Sequence, residues 1–178
     1  KKRKLLWQVG LGLSTLYLAV TFVSKSFANV AFEKAMKKAS IEAQRYTSRP
    51  APLNNLLWTA NIETKQGYYI GYYSHFDDDT TMPFSFYPRN KKIIKPYLYD
   101  KSLQKLLEIT KGYYTVEREG DTITINDLRF GQALGWLPRS SKFYTPKSEK
   151  FIFSYSFEIP DKPKEALTIR RNAETARA

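Results

Sequence analysis

Cysteine is absent from this 178-residue chain, histidine occurs once and methionine twice. Without sulfur there is no disulfide framework and no thiolate nucleophile, although zero cysteine leaves the redox compartment open. A single imidazole cannot fill the three or four positions of a Cys/His zinc site, so no metal ligand is assigned within this chain. Glycine is sparse, and nothing matches a phosphate-binding loop, a dinucleotide fingerprint, a nucleophile elbow or a zinc-protease helix. Acidic residues are the minority, 17 against 29 Lys and Arg, which leaves a formal charge of +12. An initiating methionine is also missing: the sequence starts at Lys1 and reads as a fragment or a processed product.

The N-terminus carries the strongest feature. Lys1, Lys2, Arg3 and Lys4 precede an uncharged run from Leu5 to Val23. As a helix this run is about 28 Å long, close to the ~30 Å hydrocarbon core of a bilayer. Trp7 suits the interface, Ser14, Thr15 and Thr21 can satisfy their hydroxyls on backbone carbonyls, and Gly10 and Ser14 share a face that a neighbouring helix could approach. A buried core helix and a signal peptide cleaved near Ser26-Phe27-Ala28 are the competing readings; the length of the run favours a retained transmembrane helix. Lys25, Lys34, Lys37 and Lys38 follow closely, so the charge asymmetry only slightly favours placing the rest outside the cytoplasm.

Helical periodicity continues beyond the span through Ala28, Phe32, Ala35, Met36, Ala39, Ala43 and Tyr46, predicting a stalk helix that ends at Arg49-Pro50. Its alternative is a basic amphipathic helix lying on anionic headgroups. From Leu56 the period becomes two. Trp58, Ala60 and Ile62 alternate with Thr59, Asn61 and Glu63, the pattern of a half-buried strand. A turn at Gln66-Gly67 leads into the tyrosine-rich strand Tyr68 to Phe76, and a short strand surrounds Phe84 to Tyr87. Asp100 is placed to cap a helix carrying Leu103, Leu106 and Leu107, closed by Gly112. Tyr113 to Glu119 and Thr122 to Phe130 form a hairpin across Gly120-Asp121, and Phe151, Phe153, Tyr155 and Phe157 share one face of the last strand. The charged tail after Pro160 reads as a short helix or as disordered.

The fold expected is therefore α+β: an N-terminal transmembrane helix continuing as a long helix, then an antiparallel β-sheet domain with one or two packed helices. The divisions are 1–24 for the span and its basic flank, 25–48 for the amphipathic stalk, 49–160 for the extramembrane domain and 161–178 for the tail.

Candidate chemistry is limited. Ile123, Ile125, Asp127 and Arg129 share strand parity, so an acid and a base follow two core positions on one face. They are expected to pair, since a lone buried charge is costly; the alternative is a polar site in which Arg129 holds an anion and Asp127 orients it. His75 with Asp77 and Asp79 has a spacing that could gather ligands around a divalent ion, but an acidic turn after a strand is commonplace. Tyr68, Tyr69, Tyr72 and Tyr73 occupy both faces of one strand, so some lie outside a single core and could line a groove. The binding candidates are Asp127, Arg129, Trp58, Tyr69 and Tyr73, and no catalytic residue is assigned. Nucleic acid is not an expected partner, because the basic residues are scattered and no reader motif appears.

Three segments in this order, behind the apolar run, resemble the C-terminal region of the bacterial membrane-bound metal-dependent hydrolase family of the inner membrane. They are Arg49-Pro50-Ala51-Pro52-Leu53-Asn54-Asn55-Leu56-Leu57-Trp58, Gly67-Tyr68-Tyr69-Ile70-Gly71-Tyr72-Tyr73-Ser74 and Asp127-Leu128-Arg129-Phe130-Gly131. The resemblance implies several transmembrane helices in the whole protein, with His and Asp motifs of an N-terminal membrane half holding a divalent metal ion. That half lies outside this chain, which holds no cofactor of its own on this reading. The expected partners are the lipid bilayer and the N-terminal transmembrane helices of the same protein, at the cell membrane. A non-enzymatic membrane-anchored binding module with an aromatic groove is the alternative.

Overall fold

The computed structural model describes residues 2–51, 54–77, 82–135, 141–145, 149–159 and the backbone of 168–171. A single helix, α1 (Lys2–Lys38), opens the chain and extends about 55 Å. It is long and apolar enough to cross a membrane. Leu5 to Phe22 are solvent-exposed or nearly so, and Thr15 and Thr21 return their hydroxyls to the Leu11 and Tyr17 carbonyls at 2.9 Å. Burial begins at Ser24 and recurs at Ala28, Phe32 and Met36, every fourth residue, so one face of the C-terminal half is docked.

The helix stops eight residues before Tyr46, where the periodicity placed its end. Ser40 adopts φ 52°, Ile41 N–H reaches the Met36 carbonyl at 3.0 Å and Ser40 N–H reaches Lys37 at 3.1 Å. These two bonds form a Schellman termination, and Ile41 packs back onto the Met36 cluster as that motif favours. Ala43 is exposed, Tyr46 belongs to a strand, and Pro50 ends that strand instead of a helix. The stalk is thus shorter than predicted because a serine occupies the left-handed position usually marked by glycine.

Two four-stranded antiparallel sheets follow, where a single sheet was expected. The first orders β1 (Arg45–Pro50), β2 (Leu57–Glu63), β3 (Gly67–Ser74) and β4 (Phe84–Pro88); the second orders β5 (Tyr114–Glu119), β6 (Thr122–Gln132), β7 (Phe151–Glu158) and β8 (Thr168–Arg171). β8 places part of the charged tail in a sheet, pairing with β7, while the rest of 161–178 lies outside the described residues. In chain order, the short α2 (Lys91–Ile94), a 3-10 turn (Lys95–Tyr97) and α3 (Lys101–Ile109) connect the first sheet to the second. Asp100 caps α3 as expected, its carboxylate accepting the Leu103 N–H at 2.9 Å.

Four layers result, α1, first sheet, second sheet and α2/α3, with a hydrophobic core in each gap. Ala28, Phe32 and Met36 meet Trp58, Ala60 and Ile62. Tyr68, Ile70, Tyr113, Leu128 and Phe151 fill the gap between the sheets. Leu103, Leu106, Val116, Ile123, Ile125 and Phe157 form the third core. This layering answers the problem of the two-faced tyrosine strand. Tyr69 and Tyr73 point to α1, Tyr68 and Tyr72 to the second sheet, so both faces are covered. Gly71 has a packing role here: a Cβ would lie 2.6 Å from the Phe84 ring, which rests directly on its backbone. Phe151 leaves the face it was expected to share with Phe157, because the β6–β7 register shifts between Asp127 and Gln132, next to Gly131 at φ +75°.

Candidate functional site

Polar side chains gather at three places, and the candidates singled out in the sequence divide between two of them. The first is the end of β6. Asp127 is fully buried, and Arg129 closes on it with Nε at 3.0 and 3.1 Å from the two carboxylate oxygens and Nη2 at 2.6 Å from Oδ2. The Arg129 backbone N–H adds a fourth contact at 2.9 Å. Two residues of one strand on the same face make this fork without help from any other element. It holds the Arg129 guanidinium above its ordinary pKa. Phe130 and Phe153 stack edge to face beside it, with centroids 4.6 Å apart.

Arg49 of β1 lies near enough to feel both charges. Burial pushes its pKa down, Tyr113 and Asp127 pull it up, and Arg129 lowers it again. Its half-buried guanidinium makes no hydrogen bond or ion pair among the described residues, unlike Arg45, Arg89 and Arg129. On the same face of the first sheet, Asn61 is buried in the gap between the sheets and donates to the Leu128 carbonyl at 2.5 Å, while its own Oδ1 has no partner among the described residues.

The second place is the other end of the same gap. Glu63 accepts from Arg45 and from Arg89, one carboxylate oxygen each. Arg45 rests 4.1 Å over the Tyr113 ring and Arg89 4.6 Å over Tyr68. Burial alone would raise the Glu63 pKa; the two guanidinium bonds and their charges outweigh it and leave the carboxyl below its usual range. Burial pushes the Tyr68 hydroxyl up to about 12, and that hydroxyl donates to the Gly112 carbonyl. Glu63 had read as the outward face of β2. In the fold Thr59, Asn61 and Glu63 face the second sheet, so this polar row is internal.

The third place joins α1 to the first sheet at the end of the uncharged run. Trp58 is 1% exposed, and its Nε1–H points at the Asn55 carbonyl (2.9 Å) and Ser24 Oγ (3.1 Å). Ser24 Oγ also lies 2.6 Å from the Asn55 carbonyl and 2.7 Å from His75 Nε2, while His75 Nδ1 lies 3.3 Å from the Tyr73 hydroxyl. Asn55 Nδ2 reaches down the helix to Thr21 Oγ1 at 2.8 Å. One tautomer satisfies every member: Ser24 donates to Asn55, His75 Nε2–H donates to Ser24, and Tyr73 donates to Nδ1. In that arrangement Ser24 is a bridging hydroxyl held in place by the imidazole. Phe32 against Tyr73, edge to face at 6.1 Å, completes the seam.

The fold therefore brings Trp58, Tyr69 and Tyr73 together beneath α1, and Asp127 with Arg129 into a separate corner of the second sheet. Trp58 has no free face, and Tyr69 and Tyr73 are partly buried against the helix. His75 spends both ring nitrogens on the seam, Asp77 closes a turn by accepting the Ser74 N–H at 2.9 Å, and Asp79 lies outside the described residues. No group of three potential ligands is found among the described residues. Ser24 was not singled out in the sequence, where the helical stripe started at Ala28, and Asn55 and the Arg45–Glu63–Arg89 bridge left no local signal. Comparison with family models, curated proteins and solved structures finds no match to the chain.

Proposed function

We propose that the exposed stretch of α1 crosses a bilayer and that the two sheets form an extramembrane accessory domain of a membrane-bound metal-dependent hydrolase. The hydrolytic metal site belongs, on this reading, to transmembrane helices that precede this chain in the whole protein. The observation that carries the proposal is the continuity of α1: one unbroken helix supplies both the apolar run and the buried face of the first core. A domain attached in this way cannot swivel freely. It stands at a fixed height and angle over the membrane surface, as a cover or substrate-presenting wall requires. The three resembling segments add the reaction class.

The test uses the full-length protein in detergent or nanodiscs with a panel of phosphate, carboxylic ester and amide substrates. Hydrolysis that needs a divalent metal ion, and that is lost when 39–178 are removed while the membrane half still binds the metal, is the expected result. Absence of metal-dependent hydrolysis by the full-length protein, or micromolar binding of a divalent ion by this chain alone, overturns it.

The second reading, a non-enzymatic membrane-anchored binding module, draws on Arg49. A half-buried cation with no hydrogen-bonding partner among the described residues, on the same face of the first sheet as an Asn61 oxygen that likewise has none there, is a better holding point than the covered tyrosine strand.

A further inference from the structure

The third polar cluster fixes the depth of two loops relative to the uncharged run. Asn55 holds Thr21, inside that run, and its carbonyl meets Ser24, the first residue beyond it. His75 holds the same serine, and its backbone N–H bonds the Leu56 carbonyl at 3.0 Å. Both loops are thus clamped at the level where Val23 gives way to Lys25, beside the helix instead of above it. Each offers an apolar side chain to the outside: Leu56 is 46% exposed and Phe76 is 77% exposed. Asp77, which follows Phe76 and opens an Asp77-Asp78-Asp79 run, accepts the Ser74 N–H at 2.9 Å, so Phe76 precedes the acidic part of its loop and a seat at the headgroup level leaves that run on the water side.

We infer that Leu56 and Phe76 form a second membrane contact, seated at the boundary between headgroups and acyl chains of the bilayer that α1 crosses. The inference rests on the proposed membrane crossing and adds a specific lipid-facing surface to it. A helix fixed in the membrane at its apolar run would place these side chains within the interfacial layer, where burying an aromatic ring and a leucine is favourable and where the Asn55, Ser24 and His75 polar groups keep their partners. Contact at two loops beside a span also resists tilting of the domain about its helix.

The chain has no cysteine, so a single introduced thiol reports one site. Phe76→Cys and Leu56→Cys are labelled with an environment-sensitive nitrobenzoxadiazole dye and reconstituted into phosphatidylcholine/phosphatidylglycerol vesicles. Val20→Cys, in the span, and Lys65→Cys, in the exposed β2–β3 turn at the opposite end of the sheet, serve as references. The expected result is blue-shifted emission, and loss of emission to lipids doxyl-labelled high on the acyl chain, at positions 20, 56 and 76 but not at 65. Quenching at 20 with water-like emission at both 56 and 76 overturns the inference and leaves the membrane crossing standing. Water-like emission at 20 overturns the membrane crossing, and the inference with it.

Discussion

At the scale of single residues, the buried carboxylates Glu63 and Asp127 are each held by arginine. Asp127 has no access to water and is held by a fork from Arg129, whose side chain keeps 20% of its exposure. Removing either partner leaves a charge without compensation, so Asp127→Ala should cost roughly 3 kcal/mol of stability. A thermal melt of the detergent-solubilised chain, followed by near-ultraviolet circular dichroism, measures this; an unchanged melting temperature would rule the fork out as a structural lock. Glu63 makes a prediction in pH. Its folded pKa lies below the unfolded value near 4.3, so its contribution is complete above that value and is lost as pH falls through the folded pKa. Acid unfolding should therefore begin in the range just below about pH 4.3, and Glu63→Gln should remove part of that pH dependence while lowering stability at neutral pH. Urea titrations of both proteins between neutral and acid pH give the two curves.

At the scale of elements, the boundaries of α1 matter most. Ser40 sits at φ 52°, where a side chain is strained and glycine is not. Ser40→Gly should stabilise the chain by about 0.5–1 kcal/mol, offset in part by the extra freedom of glycine when unfolded. A denaturant midpoint that falls would show that the serine side chain contributes something the backbone argument omits. The alternation on β2 was legible as a strand, as were the β5–β6 hairpin and the Asp100 cap, because pleat, turn and capping chemistry are local. The internal face of Thr59, Asn61 and Glu63 was not legible. A polar row reads as solvent-facing unless its partners are known, and Arg45 and Arg89 come from β1 and from the segment after β4. The pairing of Asp127 with Arg129 was legible for the opposite reason, since both partners lie on one strand two residues apart.

At the scale of the whole molecule, the helix and the domain are mechanically one piece through the Ser24, Ala28, Phe32 and Met36 face. Phe32 is fully buried against the first sheet, where its ring meets Tyr73 edge to face, so Phe32→Ala should cost about 3–5 kcal/mol. The loss should fall on the seam: amide exchange would accelerate in residues 24–38 and in β1–β3 more than in β5–β7. Uniform acceleration across both sheets would instead mean that the layers unfold as a single unit without a separable helix interface.

What the sequence determined by itself was whatever short-range physics can write into one segment. That includes an apolar run of membrane length, the periods of the strands, the capped α3, the α+β class and a same-strand ion pair. The tertiary structure decided where each face went. It split one expected sheet into two, turned both sides of the tyrosine strand inward, ended α1 at a serine and tied Thr21, Ser24, Asn55 and His75 into one cluster across 54 positions of sequence. Those outcomes depend on groups far apart in the chain. Their burial is favourable only once the layers have met, and no local pattern announces a partner that another element supplies.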